Sequence, residues 1–90
     1  MPRPYKTSKE FDRTLAKLEK KDKQLYENLL NKMNEVLNSL DIEHYKNLRY
    51  DLKEFKRVNV GHFVLVFKFD KINNLIFFSD FDHHDKIYKK

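Results

Sequence analysis

The chain has no cysteine and no tryptophan, and its 90 residues include only one glycine, Gly61, and two prolines, Pro2 and Pro4. Without cysteine there is no disulfide framework and no thiolate chemistry, so we expect a reducing, cytoplasmic environment. The longest purely apolar run, Phe63 to Phe67, spans five residues, whereas a bilayer requires about 20. The first residues also lack the apolar core of a signal peptide. We therefore expect no association with a membrane.

Positive charge is abundant instead. The sequence contains 19 Lys and Arg against 14 Asp and Glu, a formal net charge of +5, which favours anionic partners such as nucleic acid or an acidic peptide. Many small soluble domains are equally basic without such a role. A chain of this length forms one domain, residues 1–90, and buries roughly 60–65% of its unfolded surface. A functional site is therefore expected in a surface groove.

The segment from Leu52 to Phe69 has the strongest strand pattern. Its first half predicts a strand with Leu52, Val58 and Val60 on one side and Lys53, Phe55, Arg57 and Asn59 on the other. Gly61 predicts a hairpin turn with positive φ. The second half is apolar on both faces, which predicts a central strand. One face carries Phe63, Leu65, Phe67 and Phe69, and the other carries His62, Val64, Val66 and Lys68.

Two helices are predicted ahead of this segment. Thr7 and Glu10 have the spacing of a capping box and predict a helix from about Ser8 to Lys20. Asp22 is the predicted N-cap of a longer helix that returns antiparallel to the first. The apolar stripe of this second helix consists of Leu25, Leu29, Met33, Val36 and Leu40.

The remaining segments complete an α+β fold. A loop is predicted for residues 41–51, and an edge strand for the N-terminal PYKT. Residues 75–81 predict a third antiparallel strand, with Phe77 and Phe81 on one face. The tail from Asp82 onward is too short to predict an independent element. We expect a helical hairpin packed on one face of a three- to four-stranded, mainly antiparallel sheet, with the other face partly open and basic.

Several aromatic residues and histidines have two interpretations. Tyr45 and Tyr50, interleaved with Lys46 and Arg49, have a nucleic-acid-binding composition, but they could equally pack the loop onto the sheet. His44 and His62 are more often ordinary surface or turn histidines than functional ones. The phenylalanines Phe63, Phe67, Phe77 and Phe81 are expected in the core rather than as a stacking platform.

The order of the elements, with the segments LRYDLKEFKRVNVGHFVLVFKF and FDHHDKIY, resembles the RelE/ParE superfamily of toxins from toxin–antitoxin operons. The resemblance covers the chain from the first helix to Tyr88. It implies one of two activities on a shared fold: ribosome-dependent cleavage of messenger RNA, as in the RelE, YoeB and YafQ type, or inhibition of DNA gyrase, as in the ParE type. It also implies an antitoxin partner, whose acidic segments would cover the cationic face.

The resemblance implies roles for matching residues. Arg57 matches a basic position that contacts phosphate, His84 matches the histidine that acts as general acid in YafQ-like members, and Tyr88 matches an aromatic that orients the reacting nucleotide. The family often has arginine where Asn59 stands and nearly always where Val64 stands. Phosphate binding would then fall to other polar groups, namely Lys53, Lys56, Arg57 and His62.

Metal-free RNA cleavage requires a base near the 2′-oxygen, an acid near the 5′-oxygen and cations around the phosphate. Histidine and arginine supply these groups. The predicted catalytic set is His84, Tyr88, Arg57 and His83, and the predicted RNA- or phosphate-binding set is Lys53, Lys56, Asn59 and His62. No cofactor and no metal are expected, because the adjacent residues of the segment Asp82 to Asp85 diverge on an extended chain.

Three functional classes remain open. The first is a toxin that cleaves messenger RNA on the ribosome, with a cognate antitoxin, the ribosome and messenger RNA as partners. The second is a gyrase inhibitor, favoured by Val64 in place of arginine, and the third is an inactive or purely binding relative. The first class requires Arg57, His84 and Tyr88 to converge on one uncovered hollow.

Overall fold

The computed structural model describes residues 2–48 and 54–88. In these two ranges the chain forms a helical hairpin, a strand meander and a short C-terminal helix. The elements in chain order are β1 (Tyr5–Thr7), α1 (Lys9–Lys21), α2 (Lys23–Asn38), a 3-10 turn (Ile42–His44), β2 (Phe55–Val60), β3 (Phe63–Asp70), β4 (Leu75–His83) and α3 (His84–Tyr88).

The strands form one sheet in the order β1-β4-β3-β2. β2, β3 and β4 are an antiparallel meander, and β1 joins its outer edge parallel to β4, with Tyr5 opposite Ile76. The central position of β3 and the N-terminal edge strand are therefore confirmed. Leu52, where the first long strand was expected to begin, lies outside the described residues, and β2 begins at Phe55.

The cap of α1 differs from the prediction by one residue. The hydroxyl of Ser8 accepts a hydrogen bond from the backbone N–H of Phe11 at 3.0 Å, so Ser8 rather than Thr7 is the N-cap. The prediction was wrong because Thr7 belongs to β1, and its hydroxyl donates instead to the carboxylate of Asp12 at 2.6 Å. Because Thr7 pairs with β4 as part of β1, α1 begins only after Ser8.

The cap of α2 agrees with the prediction, but its end does not. Asp22 accepts a hydrogen bond from the backbone N–H of Leu25 at 3.1 Å, which satisfies one of the free amides at the helix N-terminus. The helix ends at Asn38, so Leu40 is fully exposed and is not part of the buried stripe. Helical periodicity did not reveal this end, since the apolar spacing continues beyond the last hydrogen-bonded turn.

The helix-covered face of the sheet holds the larger of two hydrophobic clusters among the described residues. The predicted alternation is confirmed, since Leu65 and Phe67 of β3 and Val60 of β2 all lie in this cluster, with Val58 packed at its margin. Helices α1 and α2 contribute the opposing side chains, among them Phe11, Leu29, Met33 and Val36. These last residues recur at helical spacing, as an amphipathic hairpin requires.

β4 contains a bulge that shifts its alternation. Phe78 pairs with Phe67 and Asp80 pairs with Val66, so Ser79 is the additional residue. As a result Phe78 and Phe81 both face the helices and are buried, and the prediction that Phe77 and Phe81 share a face was wrong. The hydroxyl of Ser8 donates to the Ser79 carbonyl at 2.7 Å, which links the cap of α1 to the bulge.

The opposite face carries a smaller cluster formed by Leu48, Val64, Val66 and Ile87, with Phe55 at its margin. Ile87 belongs to α3 and is only 5% exposed. The expectation that the tail forms no element was wrong, because burial of this one side chain against β3 stabilises a helix too short to form alone. Within the described ranges, each helix is too short or too polar to cross a membrane.

Candidate active site

The turn between β2 and β3 has the predicted conformation, with Gly61 at a φ of +62°. A residue with a side chain adopts such a φ at a cost, whereas glycine does not. The turn keeps β2 and β3 in a register where Arg57 pairs with Val66 and Asn59 with Val64. Because both valines lie on the face away from the helical hairpin, Arg57 and Asn59 lie on that face too.

The tail is tied to this turn by a backbone contact. The N–H of His84 donates to the carbonyl oxygen of His62 at 2.9 Å, at the point where β4 ends and α3 begins. His84 and Tyr88 are then one helical turn apart on the same side of α3. Their ring centroids are 4.7 Å apart in an edge-to-face arrangement.

Arg57 completes this group from the neighbouring strand. Its guanidinium carbon lies 5.5 Å from the centre of the Tyr88 ring, a geometry in which the ring face attracts the cation. Tyr88 therefore lies between Arg57 and His84 and contacts both. The structure thus brings Arg57, His84 and Tyr88 together on the face opposite the helical hairpin.

A depression of about 290 Å³ adjoins this group. Its walls include four of the predicted site residues, because the turn and the start of α3 meet there. The rings of His62 and His83 are 6.4 Å apart, and His83 also packs edge-on against Phe63 at 5.5 Å. The lining residues are Asn59, Gly61, His62, Phe63, His83, His84 and Asp85.

Asp85 is a site residue that the sequence did not identify as one. Its carboxylate oxygens lie 3.4 Å from Nδ1 of His84 and 3.8 Å from Nδ1 of His83. A carboxylate beside one ring nitrogen orients an imidazole and leaves the other nitrogen free to act. The sequence indicated Asp85 only as a possible metal ligand, whereas the short helix α3 places its carboxylate beside both histidine rings.

Lys56 is not brought to the site. It is 7% exposed, and its ammonium donates to the side-chain oxygen of Asn47 at 2.9 Å and to the carbonyl oxygen of Tyr45 at 3.3 Å. A carboxylate oxygen of Glu43 lies 3.7 Å away. Lys56 is directed away from the site because successive side chains of a strand point to opposite faces, and residue 56 is the neighbour of Arg57. Lys53, the other lysine predicted there, lies outside the described residues.

Tyr45 packs against the sheet and is part of the larger cluster. Its ring lies edge-on to Phe67 at 5.5 Å. Burial, followed by the negative charge of Glu35, raises the pKa of its hydroxyl. The packing interpretation is therefore the correct one for Tyr45, whereas Arg49 and Tyr50 lie outside the described residues.

The charge of the open face is mixed rather than simply basic. Asp80 and Asp82 pair with Val66 and Val64, so they share the face of Arg57 at a separation of two strands, or about 10 Å. Val64, where the resemblance implies arginine, is fully buried in the smaller cluster. Among residues 2–48 and 54–88, no group of three or more histidines and carboxylates is arranged to hold a metal ion.

Comparison with known sequences identifies the family. No protein-family model matches the sequence. A protein of Methanocaldococcus jannaschii named as a RelE4 toxin is 50% identical over 81 residues, which cover 89% of this chain and 84% of that protein. The chain belongs to the RelE toxin family. An uncharacterised protein of Methanosarcina mazei is 42% identical over 84 residues, covering 92% of this chain and 95% of the relative.

Solved structures show the same RelE fold. The RelBE2 toxin–antitoxin complex of Mycobacterium tuberculosis matches with a TM-score of 0.76 at 17% identity, covering 92% of each chain. The archaeal RelE–RelB complex of Pyrococcus horikoshii gives 0.69 at 16% identity, covering 93% of this chain and 97% of that one. A mutant of the free Escherichia coli toxin RelE gives 0.69 at 22% identity, covering 99% and 93%. The predicted fold is thus confirmed, and the relative that is 50% identical confirms the type II toxin class.

Proposed function

We propose that this RelE-family toxin cleaves messenger RNA on the ribosome without a metal ion. The observation that carries the proposal is the contact series from the Arg57 guanidinium through the Tyr88 ring to the His84 imidazole. A fixed cation, a stacking surface and a proton donor are the groups that cleavage by the 2′-hydroxyl of RNA requires. His84 lines a depression that could admit a nucleotide, and Tyr88 and Arg57 follow it in the contact series.

In the proposed mechanism the 2′-oxygen attacks the adjacent phosphorus, and the bond between phosphorus and the 5′-oxygen breaks. His84 donates a proton to the departing 5′-oxygen, with Asp85 orienting the ring through Nδ1. His62 or His83, which also line the depression, accepts the proton of the 2′-hydroxyl. Arg57 binds the non-bridging oxygens, on which negative charge develops, and Tyr88 stacks on a base.

Dependence on the ribosome follows from how few groups are available to hold RNA. Val64 is buried and Lys56 is engaged in the loop that precedes β2, so Arg57 is the only cation of the predicted site that the described residues bring to it. The depression is partly open to solvent. A separate particle that presents the scissile phosphate in a reactive geometry would supply the positioning that the toxin lacks.

The test is cleavage of a defined messenger by the purified toxin with and without ribosomes. Replacing His84 with alanine is expected to slow cleavage by about 100- to 10,000-fold, the usual contribution of a general acid. His44→Ala, an exposed histidine of the 3-10 turn, is the matched control and should cleave normally. Full activity of the His84 variant, or inhibition of DNA supercoiling by a toxin that leaves messenger intact, would contradict the proposal.

We further propose an antitoxin partner with an acidic segment that covers the open face. Two of the similar structures are complexes of a toxin with its antitoxin, and the net charge of +5 favours an acidic ligand. Co-expression with the product of the adjacent reading frame should yield a stable complex that no longer cleaves messenger. Recovery of the toxin alone, with its activity unchanged, would count against this partner.

A further inference from the structure

The segment ahead of β2 runs antiparallel along the outer edge of that strand. Asn47 forms an antiparallel bridge with Lys56, and the backbone N–H of Arg57 donates to the carbonyl oxygen of Lys46 at 2.9 Å. Residues on either side of such a bridge continue the same register. Lys46 is therefore the direct cross-strand neighbour of Arg57.

The residues around Lys46 show which face of the sheet its side chain occupies. Tyr45 is part of the larger cluster on the helix-covered face, whereas Leu48 is part of the smaller cluster on the open face. Side chains alternate along an extended segment, so residues 46 and 48 point to the same side. Lys46 thus lies on the open face, as Leu48 and Arg57 do.

Lys46 is exposed, and its charge is not neutralised by any described residue. The ion pairs within residues 2–48 and 54–88 include neither Lys46 nor Arg57. Like charges that lie directly opposite each other on two strands destabilise their pairing. An anionic ligand that binds both cations would remove this repulsion, so the pair indicates a binding site for an anion.

Lys68 lies on the same face in a different environment. It pairs with Phe55 across β2 and β3, and its ammonium is 5.8 Å from the centre of the Phe55 ring. A carboxylate oxygen of Glu54 lies 3.7 Å from the same ammonium. The charge of Lys68 is thus engaged within the protein, which makes this lysine a matched control for Lys46.

We propose that Lys46 binds the phosphate of messenger RNA next to the scissile phosphate that Arg57 holds. The choice of ligand rests on the proposed function. Lys46 lies one strand spacing, about 4.8 Å, beyond Arg57 on the side away from β3. An RNA strand that leaves the depression at His84 and passes Arg57 therefore reaches Lys46 next.

A phosphodiester suits this pair of cations better than the carboxylates of a partner protein. Protein interfaces are depleted in lysine, whereas lysine and arginine are common ligands of the phosphates of nucleic acid. The guanidinium of Arg57 binds in a fixed direction, and the ammonium of Lys46 is a mobile point charge. The pair can therefore hold one phosphate rigidly and follow the next one.

The experiment compares Lys46→Gln with Lys68→Gln, which removes the same charge from the same face. Cleavage is measured against the concentration of messenger-loaded ribosomes at several salt concentrations. A lost phosphate contact weakens binding without changing the chemical step, so Lys46→Gln should raise KM about tenfold and leave kcat within about twofold. The slope of log KM against log salt should fall by about 1.

Two controls have opposite charges at the same positions. Lys68→Gln should retain the KM and the salt slope of the parent toxin, and Lys46→Arg, which keeps the charge, should have a KM within about threefold of the parent. An unchanged KM for Lys46→Gln, or an equal rise for Lys68→Gln, would overturn the proposal. A lower melting temperature and a lower kcat for Lys46→Gln, with KM unchanged, would show that Lys46 only supports the fold.

A messenger with 2′-deoxy nucleotides separates this inference from the proposed function. It lacks the attacking hydroxyl and cannot be cleaved by the proposed mechanism, so affinity for ribosomes that carry it reports binding alone. Lys46→Gln should lower this affinity about tenfold, and Lys68→Gln should not. If the parent toxin cleaves no natural messenger and still shows this difference, the proposed function fails and the contact of Lys46 with RNA stands. If the parent cleaves messenger and the two variants bind equally, the inference fails and the proposed function stands.

Discussion

The two faces of the sheet are built on different principles. The helix-covered face is packed by two amphipathic helices and holds the larger cluster, with Phe11, Leu65, Phe67 and Phe78 fully buried. On the other face, the described residues that cover the sheet are Leu48 and the five-residue helix α3, which attaches through Ile87. One face therefore supplies most of the stability, and the other positions the residues that we assign to RNA cleavage.

This difference explains how a chain of 90 residues supports a site at all. The conformational entropy of folding has to be offset by one modest core, which is formed on the helix side. The opposite face can then retain charged and aromatic groups that contribute little to stability. Substitutions on the two faces should accordingly separate stability from activity.

The largest loss of stability is expected for Phe67→Ala. Phe67 is fully buried, pairs with Phe78 across the sheet and packs against Tyr45, so its removal leaves a cavity between sheet and helices. The free energy of unfolding should fall by about 3–5 kcal/mol, measured by denaturant titration. Ile72→Ala, at a side chain that is 95% exposed, is the control and should change it by less than about 0.5 kcal/mol.

Ile87→Ala should reduce messenger cleavage more than it reduces stability. The smaller cluster loses its only contact from α3, but the helix can detach without unfolding the rest, so the cost should be only about 1–2 kcal/mol. Messenger cleavage should fall much further, because His84 and Tyr88 lose their positions. A variant that loses stability but retains full cleavage would show that α3 does not position the site.

Lys56→Met tests which face carries the site. The substitution retains the apolar stem but removes hydrogen bonds to Tyr45 and Asn47, and we expect a loss of about 1 kcal/mol. Messenger cleavage should be unchanged, in contrast to Arg57→Gln, which should impair cleavage and leave the melting temperature close to that of the parent. Equal losses of cleavage in both variants would mean that Lys56 reaches the RNA.

The smallest effect concerns a turn that lies outside both clusters. Hydrogen bonds to the carboxylate of Asp70 from the side chain of Asn73, and then from its backbone N–H, lower the pKa of Asp70. A carboxyl with a lowered pKa in the folded state stabilises the fold above its unfolded pKa of about 4, and this contribution is lost as the pH falls through the lower folded value. Asp70→Asn should therefore show a weaker acid dependence of the melting temperature below about pH 4.

Much of the fold was accessible from the sequence. The period-two alternation of β2 and β3 assigned their residues to the correct faces, since one side of each strand is buried and a shift of one residue would expose it. Gly61 marked the turn and Asp22 marked the cap of α2, because each meets a local requirement of the backbone. Arg57, His84 and Tyr88 came from family resemblance, and their convergence is visible only in three dimensions.

The features decided by tertiary structure are those in which distant segments meet. The bulge at Ser79 changes the phase of β4, and the serine that caps α1 also bonds to it. The tail becomes a helix because Ile87 is buried against β3, and this places Asp85 beside both histidines. Alternation, turns and caps depend on neighbours along the chain. The bulge and the C-terminal helix depend instead on contacts between segments far apart in sequence, and no local sequence pattern contains those contacts.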